Sequence, residues 1–383
     1  MHTIQSFFCL KSDRSNFDLD PAHDGEFLFG EKDWADDVDK RLQRSIVMGR
    51  PHRHVWWGQY GIGKTHRLRF TKKLIESKQY AFYPCYAVAS DLDDKSGFER
   101  LHLQLVSAIG FDVMRKFAEA YMLRIHNNEP VASIGELADA CPDTAAAVQN
   151  LGSKNPNVAA AAWRYLSGQK LDRQDALLAN TSKPQVDTAL EFATVHHVFG
   201  HIIEKETGKK LLYLIDEAEN LTKIKNKNAA ARWQESIRAM LDIKNVGVVF
   251  AVGAENQQGI PSIIIMPDIV RRIQRENYEQ MSAFKAAVAD KFLRDLLKTF
   301  IEPACRPQRE QSNGWSSGSG DYDADLYPFT KSAFQTFCNN ATNDPRNAKP
   351  SEIINALNNA AYEALTTGSE LITPQILSRL NMN

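Results

Sequence analysis

The stretch that most constrains this chain is Gly58–Thr65, which reads GQYGIGKT and matches GxxxxGK[ST] throughout. His54–Trp57 before it is a short β-prone run. Thr65–Lys78 after it carries Leu68, Phe70 and Leu74 at helical spacing. Strand, glycine turn, then helix is what phosphate binding needs. Glycines let backbone N–H groups turn inward around anionic oxygens, and the helix N-terminus adds the positive end of its dipole. The expected cradle is Gly58, Gln59, Tyr60, Gly61, Ile62, Gly63, Lys64 and Thr65, with His66 behind it. Lys64 is expected to reach the β and γ phosphates of ATP, and the Thr65 hydroxyl to sit on Mg²⁺. A glycine turn that merely mimics the pattern is the bland alternative. The flanking elements and a second motif weigh against it.

That second motif is Lys210–Leu221, KLLYLIDEAENL. The apolar run Leu211–Ile215 predicts a buried strand of the parallel-sheet type. It ends at Asp216-Glu217, and carboxylates at the C-terminal end of such a strand face the ligand crevice. Asp216 is expected to help hold Mg²⁺. Glu217 is expected to orient the attacking water toward the γ phosphate. The bland alternative is an acid pair capping the next helix. An Asp-Glu pair favours hydrolysis over phosphate transfer to a small molecule, because a kinase needs no water activator.

Composition narrows the classes further. Lys plus Arg is 46 and Asp plus Glu is 47, a net charge of −1, which excludes a uniformly basic nucleic-acid coat but not a local basic patch. No apolar run approaches the roughly 18 residues that span a bilayer. The first 20 residues lack the basic-then-apolar plan of a signal peptide. Together these predict a cytoplasmic protein with no membrane partner. Cys9, Cys85, Cys141, Cys305 and Cys338 are scattered without a CxxC pair and read as reduced thiols. His196, His197 and His201 read as a polar helix face rather than a metal site.

In motif order the chain resembles the AAA+ ATPases over most of 27–383. Within them it is similar to the branch of origin-recognition/Cdc6-type initiators, Tn7-type transposition regulators and phage-exclusion ATPases. Phe29-Gly30-Glu31-Lys32 resembles the family's opening F-G-R-E, which lies beside the adenine; Glu31 stands where the family has Arg, and Lys32 where it has Glu. The resemblance implies a second strand at Ala81–Ala89, an amphipathic helix at Phe98–Ile109 and a sensor strand at Val246–Gly253. It implies a polar sensor after that strand, at Glu255 or Asn256, with Asn256 favoured. It also implies an arginine finger, Arg271 or Arg272, that enters a neighbouring subunit's nucleotide site. Their bland alternative is a surface pair near a helix start. Arg346 resembles the lid arginine that contacts the γ phosphate in the same subunit.

The implied fold is α/β: a three-layer P-loop (AAA+) domain with a parallel sheet, a helical insertion and a C-terminal all-α lid. The expected domains are an N-terminal tail (1–26), a core (27–265) with an Ala-rich insertion at about 111–186, and a lid (266–383). Residues 306–325, rich in Gly, Ser, Asn and Asp, read as a mobile loop within the lid. Only a short helix, Pro374–Leu380, remains where initiators carry a winged-helix DNA reader, which counts against an initiator. Lys223, Lys225, Lys227, Arg232 and Arg238 form a basic loop after the acidic strand, and the resemblance turns that loop toward the ring axis. It could track a DNA backbone without reading sequence; a solvated lysine face is the bland alternative.

The leading expectation is an oligomeric ATPase acting with DNA or partner proteins in phage defence or mobile-element machinery. The alternative is a nucleotide-dependent switch that controls a partner effector without DNA. A small-molecule P-loop kinase is discounted on the Asp-Glu pair.

Overall fold

The computed structural model describes residues 3–317, 320–344 and 348–381. The chain opens with α1 (Ile4–Phe8) and α2 (Lys32–Val47). Strand β1 (Arg53–Gly58) runs into the glycine turn and α3 (Lys64–Ser77), and β2 (Phe82–Val88) follows. Next come α4 (Glu99–Ile109), α5 (Phe111–His126), α6 (Ile134–Leu137) and α7 (Pro142–Leu151). They are followed by α8 (Pro156–Leu166), α9 (Arg173–Ala179) and α10 (Ala189–Thr207). Strand β3 (Lys210–Asp216), α11 (Lys227–Asp242), β4 (Val246–Gly253), α12 (Ser262–Ile265), α13 (Pro267–Ile273) and β5 (Tyr278–Gln280) complete the α/β part. Helices α14 (Ala286–Phe300), α15 (Cys305–Asn313), α16 (Lys331–Asn343), α17 (Pro350–Thr366) and α18 (Pro374–Arg379) follow. The chain divides into two compact units. The sheet unit is Val38–Gln59 with Thr71–Met281; the helical unit comprises the described parts of Met1–Asp37, Tyr60–Phe70 and Ser282–Asn383.

In the sheet unit the strands are all parallel, in the order β2-β3-β4-β1-β5. Both faces are covered, so the strands are apolar almost throughout. Alternation sorts them. Val55, Tyr213, Ile215, Val248 and Phe250 join one core with Phe98, Leu105, Phe199 and Trp233 of the flanking helices. Trp56, Leu212, Leu214, Val249 and Ala251 alternate with them and are equally buried. From α2, Arg41 reaches Glu279 at 2.9 Å and Ser45 meets His52 at 3.1 Å. The registers Gly58↔Gly253 and Val88↔Asp216 bring four strand ends to one edge of the sheet.

Residues 111–186 are mostly helical, as their alanine spacing predicts. Trp163 of α8 stacks on Phe199 of α10 at 6.2 Å and touches Phe111 at 5.7 Å. Gly168 has φ +77°, and a Cβ there would lie 3.1 Å from the His102 ring, so the stop after α8 needs glycine. The expected polar face at His196 is corrected: the residue is fully buried. Its Nε2 meets His102 Nδ1 at 3.1 Å and its Nδ1 meets the Tyr213 hydroxyl at 2.9 Å. His102 Nε2 in turn bonds the Leu166 carbonyl at 2.8 Å. Hydrogen bonding inside the core, rather than solvent, satisfies these rings.

The helical unit has its own core, in which Phe29, Phe292, Phe300, Phe334 and Leu357 cluster. Phe292, Leu296 and Phe300 supply the buried stripe of α14, as their four-residue spacing predicts. Thr330 caps α16 by accepting the Ala333 N–H. Two expectations are corrected here. The segment 306–325 does not open as a loop: α15 runs to Asn313 and stops at Gly314, at φ +65°. Arg306, Gln308, Arg309, Glu310 and Gln311 are good helix formers, and they outweigh the polar composition. Nor are all five cysteines free thiols. Cys9 and Cys305 form a disulfide with Cα atoms 6.1 Å apart, while Cys85, Cys141 and Cys338 are buried free thiols. No helix among the described residues is long and apolar enough to cross a membrane.

Candidate functional site

In the sheet unit the edge that carries Gly58 also carries Asp216, which is 4% exposed. Its carboxylate is fixed from two sides. Oδ2 accepts the Tyr86 hydroxyl at 2.7 Å, and Oδ1 accepts the Glu217 N–H at 2.9 Å. Glu217 is exposed and holds φ +54°, a left-handed conformation that costs a residue with a side chain about 1–3 kcal/mol. The chain thus turns sharply after the strand, separating the two neighbouring acids. Asn220 donates to Glu217 at 3.3 Å and to the Ala89 carbonyl at 2.9 Å, bracing that turn. Glu219 accepts the Gly253 N–H at 2.7 Å and so fastens the acidic turn to the end of β4. Tyr86, Glu219 and Asn220 were missed in the sequence. Glu219 had a local signal, as the third acid of DEAEN; Tyr86 had none, since only strand register brings it to Asp216.

The other expected residues of this unit fall in different places. Asn256 is exposed, and its Oδ1 accepts the N–H groups of Gln258 and Gly259 at 3.0 and 3.2 Å. That oxygen is committed to a turn. Arg271 and Arg272 lie in the last turn of α13, not near its start. Arg272 grips Asp242 with Nε at 2.6 Å and Nη2 at 2.9 Å, and donates to the Asp268 carbonyl at 2.9 Å. This pairing holds the Asp242 carboxyl below the usual carboxylate range. Arg271 is exposed. The basic loop is corrected in form. Lys223 ends a short 3-10 turn, and Lys227, Arg232 and Arg238 ride on α11. Asn226 caps that helix, and Asp94 accepts the N–H groups of Lys225 and Asn226 at 2.7 and 2.5 Å. All five basic residues are exposed.

In the helical unit, Tyr60–Phe70 carries most of the glycine motif. Gly61 and Gly63 hold φ +79° and +89°, which explains glycine at both motif positions. At Gly61 there is a second reason. Its carbonyl accepts the Ser351 N–H at 3.4 Å, and a Cβ there would lie 2.2 Å from Ser351 Oγ. The first turn of α17 is therefore seated on the glycine turn. Helix α3 begins at Lys64, whose Nζ lies 5.4 Å from the Tyr60 ring centre. His66 is neutral because burial pulls its pKa down, and its ring meets the Phe27 carbonyl at 2.5 Å. Arg67 pairs with Glu31 and stacks over Trp34 at 4.7 Å. Glu31 thus has a local partner, with the cation at Arg67 on α3. Arg346 lies outside the described residues.

No family model and no curated protein matches the chain. Solved structures do. The ORC2 protein of Aeropyrum pernix, in its ADPNP and ADP complexes, is 11% identical with a TM-score of 0.52, over 97% of this chain and 71% of that one. Cdc6p of Pyrobaculum aerophilum is 15% identical with a TM-score of 0.44, over 89% of this chain and 65% of that one. The Aeropyrum pernix ORC1 protein in complex with DNA is 11% identical with a TM-score of 0.41, over 92% and 65%. The chain thus spans just under two thirds of the Cdc6p and ORC1 chains. The likeness to ORC2 is one of fold. The chain has a three-layer α/β fold with a parallel sheet, similar to that of the ORC2 protein.

Proposed function

We propose that this chain is an ATPase that binds ATP with Mg²⁺ in the Gly58–Thr65 turn and hydrolyses it. The observation that carries the reading is the complete GQYGIGKT run between β1 and α3, with Gly61 and Gly63 at positive φ. The buried acid Asp216 on the sheet edge of Gly58 supports it. In this reading Lys64 binds the β and γ phosphates, and the Thr65 hydroxyl and Asp216 are the Mg²⁺-side ligands. Hard oxygen donors, one a carboxylate already oriented by Tyr86, suit that ion. Bound Mg²⁺ would neutralise charge on the phosphates. Glu217, turned away from Asp216 by its left-handed backbone, orients and deprotonates the attacking water. Asn256 helps to place the γ phosphate through its amide nitrogen, and the same role is proposed for Arg346. Of the two candidate fingers we favour Arg271, since Arg272 is spent on Asp242. A finger acting across a subunit boundary makes the working form an oligomer.

The exposed cations Lys223, Lys225, Lys227 and Arg232 favour a DNA backbone as partner, and mobile-element or phage-defence machinery as the setting. A second reading, a nucleotide switch for a partner effector protein, draws on the Gly61–Ser351 contact. Phosphate entering the glycine turn would act directly on the first turn of α17.

The deciding measurement is ATP binding and turnover side by side. Lys64→Ala is expected to lose binding. Glu217→Gln is expected to bind ATP while turning over about 10²–10⁴-fold more slowly. Wild-type affinity in Lys64→Ala would reject the site. DNA-stimulated turnover favours the first reading, and turnover indifferent to DNA the second.

A further inference from the structure

At the edge of the sheet opposite Gly58 and Asp216, the sheet unit holds a strongly basic cavity of about 450 Å³. Small-molecule sites run roughly 300–1,000 Å³. Arg53 at the start of β1, Arg50 just before it, Lys244 before β4 and Arg272 at the end of α13 line it, against one acid, Asp242. Four cations to one anion leave three positive charges without a partner in the lining. The single acid is already gripped at both oxygens by Arg272.

Arg53 is the odd group. It is half-buried, and its Nη1 and Nη2 donate to the carbonyls of Arg272 and Ile243, both at 3.2 Å. Its Nε is buried with no hydrogen-bond partner among the described residues. Carbonyls orient a guanidinium without neutralising it. Burial pulls Arg53 below the usual guanidinium range, Asp242 pulls the other way, and Arg272 adds to the depression. The wall is also strained, since Gln274, a lining residue, holds φ +76°. A half-buried guanidinium with an unpartnered Nε, on a strained wall dominated by like charges, is costly unless an anion completes it.

We propose that this cavity is an anion site for a phosphate group, held by Arg53 at its base and by Arg50 and Lys244 at its exposed rim, with Arg272 tied up on Asp242 beside them. Guanidinium pairs match the geometry of phosphate oxygens, and the two exposed cations attract the anion from solvent. Within the sheet unit the site lies at the far edge from Gly58 and Asp216, and it does not depend on the ATPase reading. Its occupant is a free phosphorylated small molecule, either a bare oligophosphate or a nucleotide.

The test titrates the full chain carrying Lys64→Ala, which empties the glycine turn, with inorganic phosphate, pyrophosphate and ADP by calorimetry. Saturable one-to-one binding is expected in that background. Arg50→Glu with Lys244→Glu, both at exposed positions, should weaken it on the order of tenfold or more. The tightest probe identifies the source, pyrophosphate for a bare oligophosphate and ADP for a nucleotide. No saturable binding, equal binding in the charge-reversed protein, or an effect reproduced by sodium chloride at matched ionic strength overturns the proposal.

Discussion

The two units of this chain are assembled by opposite routes. The sheet unit comes from two stretches, Val38–Gln59 and Thr71–Met281, and its strands are apolar runs punctuated by turns. The helical unit gathers three stretches from both ends and the middle of the sequence. Its ties are long-range: Phe17 N–H to the Asn358 side chain at 2.9 Å, Lys11 N–H to the Phe300 carbonyl at 2.9 Å, and the Cys9–Cys305 bridge. Local periodicity reveals the first kind of structure, while closure between distant segments leaves no local trace.

Each unit has its own core, so the largest effects should be separable. Trp233 is fully buried in the sheet unit, with its Nε1 donating to the Ser96 carbonyl at 2.8 Å. Phe300 is fully buried in the helical unit, beside Phe29 and under the Arg14 guanidinium at 4.1 Å. Trp233→Ala and Phe300→Ala are each expected to cost about 3–5 kcal/mol. Hydrogen exchange should show protection lost in the substituted unit. Equal loss across both would dissolve the distinction between them.

What was readable in the sequence follows the same division. Val246–Gly253 was placed to the residue, because eight apolar or glycine positions in a row admit little besides a buried strand. The position of Asp216-Glu217 at the end of a buried strand followed from the same logic. The fixing of Asp216 by Tyr86 was hidden, since it depends on β2 pairing with β3 in one register. The pairing of Arg272 with Asp242 was hidden for a similar reason: the partners are 30 residues apart on different helices. His196 was misread because its neighbours His197 and His201 suggested a polar stripe. The ring instead bonds His102 and Tyr213, residues on other elements. In the helical unit, composition alone misjudged α15, and a bridge spanning 296 residues was out of reach.

The bridge offers the next sharpest cut. Cys9→Ser should lower stability by about 2–4 kcal/mol, a typical range for a disulfide closing a long loop. The loss should fall on the helical unit, and a reductant should reproduce it in the wild-type chain. Denaturant midpoints that ignore both changes would mean that the bridge does not tie the N-terminal segment down.

The smallest effect separates the units by acid. The sheet unit buries His52, His54, His102 and His196, all neutral because burial pulls their pKa values down, to about 3 for His52 and about 4 for His102. Unfolding returns each ring to the ordinary imidazole value of 6.5, so between 4 and 6.5 the unfolded chain holds a proton on His102 that the folded chain does not. Stability contributed by this ring is therefore complete above pH 6.5 and falls as pH drops toward 4, by about 1.4 kcal/mol per pH unit. His102→Gln can still donate to the Leu166 carbonyl and accept from His196, but cannot take the proton. It should flatten the acid slope of the sheet unit by about that amount per unit while leaving stability near pH 8 little changed. A slope identical to wild type would show that His102 meets no barrier to protonation in the folded core. Acid loosening that begins in the helical unit, where His66 is the depressed histidine, would reverse the expected order of the two units.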